Sequence, residues 1–216
     1  MNHVSDKKPE HETIYVRVKE MILFGEFIPG QPITILGLSE SIGAGVTPVR
    51  EAIRRLTAEG ALRSLKNRRV EVPEMSDHRL SQIELVRMSV EPALATMAAA
   101  NIDDRVIAEL EQIDTLVDKA IDNGDTREYL AANYQFHFTL YEAADALILQ
   151  RIAESLWLQV GPSLRVVCGR YGTAKLLDQH REATLALREG DTEKVKKAIE
   201  EDIRQGLALV RQTLRA

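Results

Sequence analysis

Residues 45–55 read GVTPVREAIRR, and this stretch decides the fold of the first third of the chain. Apolar Val49, Ala52, Ile53 and Leu56 recur every three or four positions, so one side of a helix is buried here. Thr47 is the expected N-cap and Pro48 the first helical residue, where a missing N–H costs nothing. Gly60 stops the run. Ala61–Leu65 and Arg69–Val72 have strand character around Lys66-Asn67-Arg68, which predicts a hairpin. Upstream lie a helix over Thr13–Phe24, a turn at Ile28-Pro29-Gly30-Gln31-Pro32, a short helix around Leu36–Ile42 and a tight turn at Gly43-Ala44-Gly45. Helix, helix, tight turn, helix and basic hairpin is the order of a winged helix-turn-helix.

Charge gives this head a partner. The 216 residues carry a net charge of -5, but residues 1–73 hold 11 Lys/Arg against 9 Asp/Glu, and residues 74–216 hold 17 against 24. Between 50 and 69 stand Arg50, Arg54, Arg55, Arg63, Lys66, Arg68 and Arg69 against Glu51 and Glu59. Such an excess suits a polyanion, while the acidic remainder would be repelled by one. With Val49, Ile53 and Leu56 turned inward, Arg50, Arg54 and Thr57 stay outside on a helix that fits the major groove of B-DNA. Arg50 lies in the first turn, where a recognition helix touches DNA, and Thr47 leaves backbone N–H groups facing a phosphate. Lys66, Asn67, Arg68 and Arg69 at the hairpin tip are placed to reach the backbone or a minor groove. A solvated helix face and a protein-interaction module are the blander readings; charge on both helix and wing favours double-stranded DNA.

The rest of the chain reads as helix after a linker at 74–76: Asp77–Ala100, Asp103–Asp122, Thr126–Ala144, Ala146–Val167, Lys175–Glu189 and Thr192–Leu214. Gly161-Pro162 is expected to kink the fourth of these. The expected organisation is an N-terminal arm over 1–10, a winged helix over 11–73, and an all-helical domain over 77–216. No run approaches the roughly 18 apolar residues of a membrane span, and MNHVSDKKPEHE has no apolar core of a secretory signal. Cys168 is the only cysteine, so no internal disulfide forms and a cytoplasmic setting is expected.

IYVRVKEMILFGEFIPGQ followed by GVTPVREAIRRLTAEGAL resembles the winged helix of the GntR superfamily of bacterial transcription regulators. The helical remainder is similar to the FCD-type effector-binding domain in the six-helix form of VanR-like members, and the resemblance covers about residues 13–214. Gly45-Val46 stands where family members often have Ser-Arg or Thr-Arg, and Leu36 replaces a common arginine. The fold class implied is mainly α: a winged helix-turn-helix with a small β-hairpin wing, then an antiparallel six-helix bundle.

In that bundle several helices carry a polar residue on their apolar stripe. Asn133 and His137 align with Leu130, Leu140 and Ala144. His180 aligns with Leu177, Thr184 and Leu187, and Asp202 with Val195, Ile199, Gly206 and Leu209. Arg87 and Glu91 align with Leu80, Ile83 and Leu94. A buried charge without a partner costs several kcal/mol, so such residues are expected to face one another. Residue by residue, a hydrogen-bonded core histidine is the simpler reading. The resemblance implies more: many FCD domains bind a divalent metal through an Asp, a His four residues on, and two further His. The matching positions here are Asn133, His137, His180 and Asp202, with zinc or nickel as the implied metal. Arg87 is implied to reach a small organic acid effector, against the alternative of an Arg87–Glu91 pair within one helix. The function expected is a ligand-responsive regulator, a repressor, acting as a homodimer on a two-fold operator. A metal-dependent enzyme and a non-specific DNA-binding structural protein are the competing readings.

Overall fold

A computed structural model describes residues 9–66, 69–171 and 178–215, with the backbone alone described over 168–171. Among these, the chain forms α1 (Glu10–Leu23), β1 (Pro32–Thr34), α2 (Ile35–Ile42), α3 (Val46–Ala58), β2 (Arg63–Ser64) and β3 (Arg69–Glu71). Six further helices follow: α4 (Asp77–Asn101), α5 (Asp104–Asn123), α6 (Thr126–Glu142), α7 (Leu147–Tyr171), α8 (Gln179–Glu189) and α9 (Thr192–Arg215). The protein is mainly helical, with a three-stranded antiparallel sheet in the order β1-β3-β2.

The head follows the expected order with three differences. Residues 1–8 of the expected arm lie outside the described residues, and Glu10 already belongs to α1. β1 is an addition: Pro32 pairs with Glu71, Ile33 with Val70 and Thr34 with Arg69. Proline is admissible because β1 is an edge strand and Pro32 its first residue. The cap of α3 is also different. Gly45, in extended backbone, is the N-cap and offers no side-chain bond, and Thr47 is the second helical residue. Pro48 is then the third, where an N–H would still have no intrahelical acceptor. Asn67 and Arg68, at the predicted hairpin tip, lie outside the described residues.

In the bundle, side chains at the helix starts accept the N–H three residues on. Ser76 Oγ accepts from Arg79, Asp103 from Val106, Asp125 from Glu128, Asp178 from Arg181 and Asp191 from Lys194. Each satisfies an orphaned donor. Asp178 as cap corrects the expected start of α8 at Lys175, and residues 172–177 lie outside the described residues. Met75, in the linker, is buried in the bundle core.

α7 carries Gly161-Pro162 in its interior, as expected, and runs beyond the expected Val167 to Tyr171. The glycine there serves packing: a Cβ on Gly161 would stand 2.8 Å from the backbone oxygen of Leu23 at the end of α1. Head and bundle thus meet along α7. The core of the head, built from Val18, Ile22, Val49, Ile53 and Leu56, includes Leu130 of α6 and Trp157 and Leu158 of α7. Lys19 of α1 pairs with Glu154 of α7, which also accepts from Tyr134 Oη at 2.9 Å.

Candidate functional site

On the head, Thr47, Arg50 and Arg54 are exposed on α3, while Val49, Ala52, Ile53 and Leu56 are buried beneath them. Arg50, Lys66 and Arg69 are exposed and make no ion pair among the described residues. Arg54 is tied along the helix to Glu51, with Nε to Oε2 at 3.0 Å and Nη2 to Oε1 at 2.5 Å. Arg55 faces the other way, bonding Glu12 at 2.9 Å and lying 3.6 Å over the Tyr15 ring. In the wing, Arg63 pairs with the nearly buried Glu71. Within α3 and the wing, the positive charge without an ion pair among the described residues is thus carried by Arg50, Lys66 and Arg69.

The second site lies inside the bundle. His137 on α6 and His180 on α8 are buried, with Nε2 atoms 3.4 Å apart, and His137 Nε2 lies 3.1 Å from Asp202 Oδ2 of α9. One ligand atom from each of the three lies within 4.8 Å of the others. Asn133, one turn before His137, is buried and lines a cavity with Asp202, Arg87, Trp157, Leu164 and Gly206. Among the four residues expected to hold a metal, three therefore converge, and the fourth borders the same space.

The outer nitrogens of both rings are already committed. His180 Nδ1 lies 3.2 Å from Asp114 Oδ1 of α5, so its Nδ1–H donates to a carboxylate. His137 Nδ1 lies 3.1 Å from Tyr141 Oη, and that hydroxyl donates to Glu91 Oε2 at 2.8 Å. With its hydroxyl hydrogen directed at Glu91, the tyrosine oxygen is left to accept from His137 Nδ1–H. With the ring protons on Nδ1, both Nε2 lone pairs face each other and the Asp202 carboxylate, a repulsion relieved either by a proton on Nε2, which then bonds Asp202, or by a cation lying between. A carboxylate behind one imidazole and a hydroxyl–carboxylate relay behind the other are the outer-shell partners that orient metal-ligating histidines. The donor set of two imidazoles and a carboxylate fits a divalent transition metal.

The titration of these groups follows. Burial holds His137 below the ordinary histidine value despite Asp202. Burial opposes charge at His180 too, but the Asp114 bond and the charges of Asp202, Asp114 and Asp178 raise it. Burial alone would raise Asp202; the His137 bond and the charges of His137, His180 and Arg87 bring it down to about 2.

Arg87 borders the cavity but is not free. Its guanidinium grips Glu91 two-pronged, with Nη2 to Oε2 at 3.0 Å, and lies 4.7 Å over the Trp157 ring. Glu91 also accepts from Trp157 Nε1 at 3.0 Å. The pairing of Arg87 with Glu91 within one helix is thus present, and an arriving anion meets a guanidinium already partly neutralised. The sequence reading missed Asp114, Tyr141 and Trp157. Asp114 sits among ordinary acidic residues of an amphipathic helix, and Tyr141 is the i+4 neighbour of His137, the one signal that spacing offered.

Known proteins match both parts. The model of the gntR family of bacterial regulatory proteins matches residues 10–72, and that of the FCD domain residues 82–205. The chain belongs to the GntR family, with an FCD domain. It is 26% identical over 212 residues to the HTH-type transcriptional regulator McbR of Escherichia coli K12, covering 95% of this chain and 96% of that protein. The solved structure of E. coli McbR/YncC superposes with a TM-score of 0.90 at 25% identity, over 96% of this chain and 99% of that one. The probable D-xylose utilization operon transcriptional repressor of Paenarthrobacter nicotinovorans is 26% identical over 199 residues, 90% of this chain and 88% of that protein. This GntR-family chain is a DNA-binding transcription regulator. Its relatives are regulators and not enzymes, which removes the reading of a metal-dependent enzyme. No described helix is long and apolar enough to cross a membrane.

Proposed function

We propose that the protein is a repressor, acting as a homodimer on a two-fold operator, whose DNA binding responds to a metal-assisted carboxylate effector in the bundle. The recognition contacts are Thr47, Arg50 and Arg54 on α3, with Lys66, Asn67, Arg68 and Arg69 on the wing. Zinc or nickel is held by His137, His180 and Asp202, with the Asn133 amide as a weak neutral donor beside them. Arg87, at the cavity wall, steers a small organic acid toward the metal. When bound, the metal supplies a Lewis-acid anchor for that carboxylate. The observation that carries this reading is the convergence of two histidine Nε2 atoms and Asp202 Oδ2 while both Nδ1 atoms are committed elsewhere. A repressor relative lends the direction of regulation.

Elemental analysis of protein purified without a histidine tag is the test, together with melting curves after chelation and after zinc addition. Because only the folded bundle presents ligands from α6, α8 and α9 together, zinc at about 100 times its Kd should add roughly 2.7 kcal/mol of stability. His137→Ala and His180→Ala should each abolish that response. A protein with no metal at near-equal stoichiometry, whose melting curve zinc leaves unmoved, would leave an organic-ligand pocket lined by His137, His180 and Arg87 in its place.

A further inference from the structure

The last carbonyls of a helix have no intrahelical donor and need partners from elsewhere. At the end of α3 the partners come from the bundle. Ser155 Oγ of α7 donates to Glu59 O at 3.0 Å, and Gln159 Nε2, one turn on, approaches the same oxygen at 3.5 Å. Arg79 Nη2 of α4 donates to Gly60 O at 3.0 Å and to Gln159 Oε1 at 2.8 Å. Glu59 is the C-cap of α3, and its own carboxylate accepts from Tyr15 Oη of α1 at 2.9 Å.

Two details separate this from incidental surface contact. Arg79 is half-buried and has no carboxylate partner among the described residues; its counter-charge is the negative end of the α3 dipole, where a cation is favoured. Gly60 has a φ of +76°, and a Cβ there would lie 3.3 Å from the Gln159 side chain. Glycine thus meets both the turn and the close approach.

We infer that Arg79, Ser155 and Gln159 are positioning residues for DNA recognition, fixing the C-terminal end of α3 to the bundle so that Arg50 is presented to DNA in one orientation. A head held in place loses less freedom on binding a specific site than a head that swivels. Loose, non-specific attraction to phosphates does not need that orientation. The inference rests on α3 being the recognition helix and is independent of any metal.

The test uses the full-length protein in chelator, with a duplex that the wild type selects from a random pool and an unselected duplex as control. Arg79→Ala combined with Gln159→Ala should lower affinity for the selected duplex about tenfold. The unselected duplex should be bound as before, and the melting temperature should stay within a few degrees, because the substituted groups are only partly buried. Arg79→Lys, which keeps a cation at Gly60 O, should recover part of the lost affinity, and Ser155→Ala should give a smaller loss of the same kind. A global folding defect would instead weaken both duplexes together. Unchanged affinity for the selected duplex in the double variant would overturn the inference, as would an equal loss on both duplexes. Failure of the wild type to select any duplex would fault the assignment of α3, a separate result.

Discussion

Replacing Glu91 by glutamine tests the electrostatics of the bundle most sharply. Glu91 is fully buried and Arg87 nearly so. The carboxylate accepts two bonds from Arg87, one from Tyr141 Oη and one from Trp157 Nε1. The amide retains one acceptor oxygen and turns an NH2 group toward donors that cannot receive it. It also strands the guanidinium without its ion-pair partner, leaving only the field of Asp202 across the cavity as counter-charge. Removing one member of a buried pair costs about 3–5 kcal/mol, a large share of the roughly 5–15 kcal/mol that holds a domain folded. Urea unfolding followed by emission of Trp157, the only tryptophan, measures the loss where it arises. Arg87→Met in the same background should recover part of it, because the stranded cation is gone. A loss below about 1 kcal/mol, with an unchanged dependence on urea, would refute the reasoning that this pair is held dry.

Other consequences can be measured directly. Arg50→Ala should lose about 1–3 kcal/mol on the selected duplex and little on random DNA, whereas Arg69→Ala should weaken both and reduce the salt slope by about one unit; fluorescence titration at several salt concentrations separates them. Asn133→Asp should tighten zinc binding, seen by competition with a chromophoric chelator, since an anionic oxygen replaces a neutral one. Zinc affinity should fall as pH is lowered from 8 to 6. The raised pKa of His180 means that its Nε2 takes up a proton at a higher pH than an ordinary histidine would, so proton competition sets in earlier on acidification. Affinity that rises on acidification would contradict that order of events.

Helix boundaries were legible to within a few residues because apolar spacing and cap residues are both local. Ser76, Asp103, Asp125 and Asp191 act within three residues of themselves. Thr47 misled because the cap depends on backbone angles: Gly45 takes the extended conformation, and the helix begins before the threonine. β1 was invisible, since three residues opening on proline form a strand only when β3 lies alongside. In the bundle, His137, His180 and Asp202 stood out as polar residues on apolar stripes. Asp114 did not, because nothing in α5 marks one aspartate as the partner of a histidine 66 positions away. Arg79, Ser155 and Gln159 are equally ordinary in sequence, and only the folded seam brings them to the adjacent carbonyls of Glu59 and Gly60.

That seam bears on how a pocket in the bundle reaches DNA at all. Trp157 walls the cavity and bonds Glu91, yet it also belongs to the core of the head. Ser155 and Gln159, two residues to either side of it, touch the end of α3. One turn further, Gly161 packs so tightly on Leu23 O that even a methyl group would not fit. A close-packed contact of this kind has no slack in which to absorb displacement. On the proposed reading, a ligand that displaced Trp157 and α7 with it would press on α1 and α3 together, and the head would turn with it or its seam bonds would break. Either outcome would change the angle at which Arg50 meets a groove, and in the proposed two-fold assembly that error would be repeated at the second half-site.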